Sequence, residues 1–506
     1  MFRTVETAEG ENAPWDVLQD DIESAVLLDG VISIHDRAFC WCPMLGSIQI
    51  PNSVASIGDE AFAHCESLDL IIIPDSVETI GYRAFAECAF PSIKIPRSVT
   101  SFVGNPFPSC SDLEEIDVSE NPNFVFVDGV LMDKEMTKII YCDPSKLGDY
   151  SVPDTVSTIC EGAFTECGKL TSIAIPDSVT SIGDEAFYVC YYLRSITIPN
   201  SVVSIGNREF QNCSKLASIE IPNSVKEIGD EAFSYCFGLA SITIPGSIEA
   251  LGANLFDGCN NLSEITVVGE GGNIRMVDGV LFNGDMTRLI WCSKKKSGSY
   301  EIPPTVKTID SYAFYSRGML TSVTIPDSVT EISGCTFQDC CRLKTVTIPN
   351  SVTSIGGRAF DSCTSLESVV IPDSVTFIGN SAFDSCTSLK SVVIPDGVAS
   401  IGYRVFYHCS SLESVMIPDS VISIGDCAFQ KCTSLESVVI PDSVTFIGNW
   451  AFSDCRALTS VTIPKSVTSI GGWVFYECSS LRTVTIPSGL NYPGNVFPRS
   501  ATITKY

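Results

Sequence analysis

Three scarcities narrow the possible functions of this 506-residue chain before any motif is considered. Only three histidines are present, His35, His64 and His408, and they are too scattered to build a Ser-His-acid cluster or a metal site. Basic residues number 31 against 60 acidic ones, and the net charge of −29 disfavours nucleic acids and anionic membrane surfaces. No apolar run approaches the length of about 18 residues that a membrane-spanning helix needs, so none is expected. The first residues have neither a basic start nor an apolar run, so no secretory signal peptide is predicted.

What the chain has in abundance is a repeat of 23 residues. Leu193 to Cys213 reads LRSITIPNSVVSIGNREFQNC, and Leu366 to Cys386 reads LESVVIPDSVTFIGNSAFDSC. The Ile-Pro step recurs at this period in two runs, Pro176 to Pro245 and Pro303 to Pro487. A fixed period of this length predicts a solenoid, in which each coil buries its apolar face against its neighbours. Stacked coils offer a long surface instead of a pocket, which favours binding over catalysis.

One coil shows how the repeat folds. In LTSIAIPDSVTSIGDEAFYVC, Ile173 and Ile175 are two residues apart, which is the period of an extended strand with one buried face. Pro176 cannot donate a ladder hydrogen bond, so the strand is predicted to end there. Phe187 and Cys190 are then expected to enter the core from a short helical turn.

The 23 cysteines are predicted to be core residues, not disulfides. Sixteen of them occupy one slot of the repeat, three residues after the Phe, so one thiol per coil points the same way. Stacked coils bring neighbouring Cα atoms close enough for a disulfide, but parallel Cβ vectors make the geometry poor. We therefore expect reduced thiols in a reducing compartment.

The string IPxSVxxIGxxAFxxC resembles the leucine-rich repeats, and most closely the BspA-like family, over roughly residues 28 to 497. The resemblance implies an α/β solenoid: a leucine-rich repeat superhelix with a continuous parallel β-sheet on the concave face and short helical turns outside. Members of that family are mostly surface antigens and adhesins, which implies binding without naming a ligand.

Two matching interruptions divide the array. The string VDGVL occurs at Val127 to Leu131 and again at Val277 to Leu281, 150 residues later. Each copy leads through a turn to a second apolar strand, which predicts β-hairpin inserts at about 122–152 and 270–302. The expected organisation is an N-terminal cap or tail at 1–27, a solenoid at 28–487 containing both inserts, and a C-terminal capping coil at 488–506. Arg317 takes the place of a column cysteine after the second insert, so packing is expected to differ there.

Candidate binding residues are predicted on the strand face that points away from the core. Most coils carry Ser and Thr there, but four successive coils replace the Thr with an apolar side chain beside a retained Ser, which makes a plausible docking strip. These residues are Val370, Val393, Met416 and Val439, with Ser368, Ser391, Ser414 and Ser437. Trp450 and Trp473 form a second candidate on adjacent coils, with packing against a C-terminal cap around Tyr492 and Phe497 as the alternative.

These observations favour a non-enzymatic protein-interaction scaffold that binds a partner along the concave sheet as a monomer. The alternative is a cell-surface adhesin or antigen that binds a matrix protein or a glycan. A cytoplasmic location is expected, with unconventional export to the cell surface as the alternative. No catalytic residue, cofactor or metal is predicted, although aspartates share one turn slot on four coils and could present oxygen ligands to Ca²⁺. Ice binding by the Ser/Thr face and an enzymatic role are less favoured.

Overall fold

In a computed structural model the described residues are 16–269 and 272–506. They form two compact units, which divide the chain into Met1–Gly271 (unit 1) and Gly272–Tyr506 (unit 2). Residues 1–15 of the expected N-terminal cap, and residues 270 and 271 of the second insert, lie outside the described part of the chain. A 3₁₀ helix occupies Asp16–Asp21.

Most coils contribute two short strands to two parallel ladders. The first sheet contains the strand that precedes the Ile-Pro step, and the second sheet contains a shorter strand that precedes the glycine. In unit 1 the first-sheet strands are Ser24–Val26, Ser47–Gln49, Ser92–Lys94, Glu115–Asp117, Gly148–Ser151, Leu170–Ala174, Ser195–Thr197, Ser218–Glu220, Ser241–Pro245 and Glu264–Val268. The second-sheet strands of unit 1 are Ser33–Ile34, Ser56–Ile57, Thr79–Ile80, Ser101–Phe102, Thr158–Ile159, Ser181–Ile182, Ser204–Ile205, Glu227–Ile228 and Ala250–Leu251.

Unit 2 has the same two ladders. Its first-sheet strands are Gly298–Glu301, Leu320–Thr324, Thr345–Thr347, Ser368–Val369, Ser391–Val393, Ser414–Met416, Ser460–Thr462, Thr483–Ile486 and Thr502–Lys505. Its second-sheet strands are Thr308–Ile309, Glu331–Ile332, Ser354–Ile355, Phe377–Ile378, Ser400–Ile401, Ser423–Ile424, Phe446–Ile447 and Ser469–Ile470. The first sheet expected from the sequence is present as parallel segments of two to four strands, and the second sheet is an addition to that expectation.

Alternation of side chains explains the strands. In Ser195–Thr197 the central Ile196 is buried and its two polar neighbours are exposed, and the next strand repeats this pattern one coil later. The proline that follows ends most first-sheet strands, because it has no N–H to continue the ladder. The single buried face of each strand then packs onto the interior of the coil.

The interior is built from columns of identical side chains. Phe360 stacks on Phe383 and Phe383 on Phe406, with ring centroids 5.3 and 5.5 Å apart and planes within 8° of parallel. Beside this column, the thiols of the column cysteines from Cys65 onward donate to backbone carbonyls of the preceding coil, as Cys386 Sγ does to Phe360 O at 3.2 Å. No disulfide joins any of the 23 cysteines, and the column cysteines are buried as the repeat predicts.

The outer segments differ from the expected helical turns. Within the described residues the 3₁₀ helix at Asp16–Asp21 is the only helix, and the segment around each buried Phe is a pair of consecutive hydrogen-bonded turns. Two residues per coil adopt positive φ, such as Glu60 at 53° and His64 at 61°. The reason is hydrogen bonding between coils. The N–H groups of Glu60, Phe62 and His64 donate to carbonyls of the next coil, so they cannot make the i to i−4 bonds of a helix.

A ladder of Asp and Asn side chains joins the coils at the turn after the glycine. Asp184 Oδ1 accepts a hydrogen bond from the backbone N–H of Asn207 at 2.9 Å, and Asn207 Oδ1 accepts one from the N–H of Asp230 at 2.8 Å. Coils approach closely here. A Cβ added to Gly183 would lie 2.5 Å from the backbone nitrogen of Glu161, which explains why the slot requires glycine.

The two inserts are three-stranded antiparallel hairpins that join the second sheet. Their strands are Phe124–Val127, Val130–Asp133 and Lys138–Cys142 in unit 1, and Ile274–Val277, Val280–Asn283 and Arg288–Cys292 in unit 2. Both contain a register shift at the same place in the middle strand, and in both the last strand pairs in parallel with the next coil. The two inserts are therefore equivalent structures, 150 residues apart in the chain.

The expected difference at Arg317 is visible. Cys167 of unit 1 donates its thiol to the carbonyl of Cys142 at 3.4 Å, whereas the buried guanidinium of Arg317 donates to the carbonyls of Cys292 and Tyr315. Arg317 also lies 5.3 Å from the ring centroid of Trp291. Burial lowers the pKa of Arg317. The guanidinium thus replaces one thiol bond with two bonds to carbonyls and a contact with an aromatic ring.

The last coil lacks the cysteine but keeps the aromatic column. Phe497 stacks on Phe475 with centroids 5.6 Å apart, and Tyr492 meets the edge of Phe497. Thr502–Lys505 adds a strand to Thr483–Ile486. Across the described ranges, no helix has the length and hydropathy to cross a bilayer.

Candidate functional site

The four apolar side chains predicted from the sequence form a column on the first sheet of unit 2. Val370, Val393, Met416 and Val439, here called the apolar strip, are between 57% and 78% exposed. Val393 and Met416 are register partners on adjacent parallel strands. Val392 and Val415, the residues directly before them, are buried, so the strand alternation points the strip away from the core. The strip is an exposed apolar surface in a slot that neighbouring coils fill with Thr347 and Thr462.

The predicted serines lie beside the strip. Ser391 and Ser414 are register partners, and Ser414 forms a bridge with Ser437 on the next coil. All four serines, including Ser368, are exposed. The surface therefore consists of one apolar column and one hydroxyl column that run side by side across four coils.

Carboxylates border the strip at both ends of its strands. Three residues after each strip position stands an exposed aspartate, and these four form the aspartate row: Asp373, Asp396, Asp419 and Asp442. Three residues before each strip position stands another exposed charged residue, and these four form the mixed row: Glu367, Lys390, Glu413 and Glu436. At about 3.3 Å per residue, each charge sits within roughly 10 Å of its strip residue along the chain.

The aspartate row has no cationic partner of its own in the described part of the chain. The one ion pair that involves the mixed row joins Lys344 to Glu367 at 3.6 Å, and both of its side chains are more than half exposed. Among the described residues, no group of three or more His, Cys, Asp and Glu side chains has the arrangement of a metal site. The borders of the strip are therefore anionic and solvated.

The two predicted tryptophans form a stacked pair on the turn side of unit 2. The rings of Trp450 and Trp473 are 5.1 Å apart at their centroids and within 5° of parallel. They are 37% and 41% exposed, and both residues have positive φ. Tyr492 and Phe497 of the last coil continue the internal Phe column instead, so the pair is held chiefly by its own stacking.

The sequence reasoning missed a third exposed group on the same side. Arg404 lies 3.9 Å from the ring centroid of Tyr407 and 5.7 Å from that of Tyr403, and Lys431 lies 5.2 Å from Tyr407. Residues three apart are neighbours in a helical turn as well, so the spacing of Arg404 and Tyr407 was the available signal. In unit 1 the sequence reasoning also passed over Leu70 and Ile72, which are 61% and 71% exposed in the outward slots of one coil. The apolar run LIII at 70–73 was the available signal.

The three histidines lie in separate surroundings. His64 stacks on Trp41 with ring centroids 3.7 Å apart and pairs with Glu87, Nδ1 to Oε2, at 2.8 Å. His408 lies beside Tyr407 in unit 2. His35 is exposed in the coil before His64. No catalytic arrangement of a nucleophile, a base and an orienting group results among them.

Two carboxyl groups of unit 1 have raised pKa values. Glu209 occupies a core slot where neighbouring coils carry Ala186 and Ala232, and burial raises its pKa to about 8 although the N–H of Gly206 donates to it. Burial, together with Asp184, raises the pKa of Glu161 to about 7. The protonation of both groups is therefore linked to folding.

Several solved structures resemble this chain. A leucine-rich repeat protein from Bacteroides ovatus ATCC 8483 is 27% identical over 76% of this chain and 97% of its own, with a TM-score of 0.41. A leucine rich cell surface protein from Faecalibacterium prausnitzii A2-165 is 28% identical over 73% of this chain and 96% of its own, with a TM-score of 0.47. No curated protein matches the chain.

The family comparison covers almost all of the repeat array. The model described as BspA type leucine rich repeat region (6 copies) matches residues 32–144, 134–263, 291–413 and 399–506. These ranges contain the first insert, most strands of both sheets and the columns of Phe and Cys, and residues 264–290, with most of the second insert, lie between them. The chain therefore belongs to the BspA-type leucine-rich repeat family.

Proposed function

We propose that this chain is a non-enzymatic scaffold that binds a protein partner on the first sheet of unit 2. The observation that carries the proposal is the apolar strip, four exposed apolar side chains at the same slot of four successive coils, of which Val393 and Met416 are register partners. Covering such side chains contributes roughly 1 kcal/mol or more for each. The partner is a polypeptide and not a nucleic acid, because the surface is anionic. The chain acts as a monomer, since its net charge of −29 opposes self-association.

A photo-crosslinking amino acid at position 393 tests the binding surface in the source cells. The matched control carries the same amino acid at Thr324, an exposed position on the same sheet outside the strip. Crosslinking to a discrete polypeptide from position 393 and not from position 324 is expected. Equal crosslinking from both positions, or none from position 393, would show that the strip is not the binding surface.

The thiols support a reducing compartment such as the cytoplasm for this scaffold. Each column thiol donates a hydrogen bond to a carbonyl, and a disulfide would remove that donor. The second candidate function, a cell-surface adhesin that binds a matrix protein or a glycan, is favoured by membership of the BspA-type family. Surface labelling with protease protection on intact cells separates the two. Protected chains support the internal scaffold, and labelled, protease-sensitive chains support the adhesin and export.

A further inference from the structure

The apolar strip and its charged borders together specify a kind of partner. We infer that the strip binds a cationic amphipathic α-helix, with one apolar side chain per turn on the strip and Lys or Arg side chains on the two borders. The inference rests on the proposed function and names the partner class for that surface. Three features of unit 2 support it, namely the spacing of the strip, the sign of its borders and its central side chain.

The spacing of the strip matches the pitch of a helix. Successive coils are about 4.8 Å apart in a parallel ladder, and the internal rings of the same coils are 5.3 to 5.5 Å apart. An α-helix laid along this direction repeats every 5.4 Å, so residues at i, i+4, i+7 and i+11 meet four successive coils. A strand along the same direction would present outward side chains at intervals of about 6.8 Å and lose register within two coils.

The sign of the borders selects a cationic helix. Seven of the eight border residues are carboxylates, and Lys390 is the exception. Because the two rows lie on opposite sides of the strip, they favour a helix with positive charges on both flanks of its apolar face. A second copy of this chain does not fit, since its own surface carries the same sign of charge.

The central side chain favours an adaptable fit. Met416 replaces the Val of the other three strip positions and is 64% exposed. An unbranched thioether can adjust to a Leu, Ile or Phe on the partner, as methionine does on helix-binding surfaces generally. Ser391 and Ser414 lie alongside and leave room, so a bulky helix can approach the sheet.

Designed peptides test the inference directly with the full-length chain. The probe is a fluorescent 18-residue peptide with Leu at i, i+4, i+7 and i+11 and Lys on both flanks, measured by fluorescence anisotropy. One matched peptide replaces every Lys with Glu, and another keeps the composition but scrambles the apolar period. Binding is expected for the cationic amphipathic peptide, with affinity at least about tenfold lower for each of the other two.

Three protein variants separate the strip from general electrostatic attraction. V393K/M416K alters the strip, D396N/D419N alters the aspartate row, and T324K/T485K alters equivalent outward positions two coils away from either end of the strip. Each changes the net charge by the same amount, so unspecific attraction predicts equal losses. We expect about a hundredfold loss for the first, about a tenfold loss for the second and less than a twofold loss for the third, with circular dichroism confirming that all three fold.

The outcomes distinguish this inference from the function on which it rests. Equal loss in all three variants, or equal binding of the Lys and Glu peptides, overturns the cationic helix. If crosslinking from position 393 succeeds while the cationic peptide fails to bind, the scaffold stands and its partner has a different chemistry. If crosslinking from position 393 fails as well, both the proposed scaffold function and the cationic-helix partner are contradicted.

Discussion

The residues two positions before the column Phe of each coil form a column on the turn side, and its chemistry differs between the two units. In unit 1 the column alternates in charge: Arg37 pairs with Glu60 at 2.8 Å, Arg83 with Glu185 at 2.7 Å, and Arg208 with Glu231 at 2.9 Å. In unit 2 the same slots carry Tyr312, Cys335, Arg358, Ser381, Arg404, Cys427, Trp450 and Trp473. In unit 1 the charged side chains of the column form ion pairs with one another. In unit 2 the column ends in two partly exposed aromatic rings, Trp450 and Trp473.

The first sheet shows a parallel difference. Its outward slots in unit 1 carry mainly Ser, Thr and charged residues, with Leu70 and Ile72 as an apolar interruption in one coil. Unit 2 carries its apolar strip across four coils. The interior columns of Phe and Cys are alike in both units. The comparison teaches that the core fixes the coil, while the outward slots vary independently and determine what each unit can bind.

The largest expected effect tests whether the two cores are equivalent. Replacing Phe383 in unit 2 or Phe187 in unit 1 with Ala removes one ring between two stacked neighbours, and each change should cost about 3–5 kcal/mol of unfolding free energy. Chemical denaturation followed by circular dichroism measures the loss. Similar losses sharpen the comparison, and a loss in only one unit would show that the cores differ.

The next effect concerns pH and should arise in unit 1, because no carboxyl group occupies the slot of Glu209 in unit 2. The folded pKa of about 8 lies above the usual value of 4.5, so the folded state retains a proton that the unfolded chain releases. The contribution of Glu209 to stability is therefore fully present below about pH 4.5 and is lost as the pH rises to about 8. Allowing for water entry and relaxation, the decrease should be about 2–3 kcal/mol. In E209Q and E209A the denaturation midpoint should no longer decrease with pH because of this carboxyl. A decrease as large as that of the unchanged protein would contradict the assignment.

The smallest expected effect is a difference in stability between variants of the two turn-side columns. Glu185 accepts a hydrogen bond from Tyr82 Oη at 3.0 Å and pairs with Arg83 and Arg208. Glu185→Ala should cost about 1–2 kcal/mol, because the partly exposed Arg83 can turn towards water. Trp473→Ala should cost about 1 kcal/mol, since a ring that is already 41% exposed loses its stacking with Trp450. Thermal unfolding of both variants measures the difference, and a larger loss for the tryptophan would assign that pair a structural role.

Much of the coil follows from the repeat alone. The spacing of Ile173 and Ile175 predicts two buried strand positions, and the fixed place of the thiols predicts a buried column. The outward position of Val393 also follows, because a period of two fixes both faces at once. These features depend on local spacing, which one sequence displays directly.

Other features depend on bonds between coils, which spacing does not display. The turns around Phe62 replace a helix because alternate N–H groups are bonded to the next coil. Second-sheet strands such as Ser181–Ile182 are only two residues long, which is too short to show an alternating pattern in the sequence. The ion pair between Arg83 and Glu185 joins residues 102 positions apart, because the coils before and after the first insert lie close together.

Hydrogen bonding between coils has a mechanical consequence. In the regular run from Pro303 to Pro487, the inter-coil bonds join residues about 23 positions apart, and each coil is bonded to the one before it and the one after it. Tension applied along the coil axis therefore loads these bonds in series, and the weakest interface opens first. Each released coil adds about 23 residues of slack, roughly 80 Å of extended chain. Pulled by its ends, this region would lengthen in equal steps, one coil at a time.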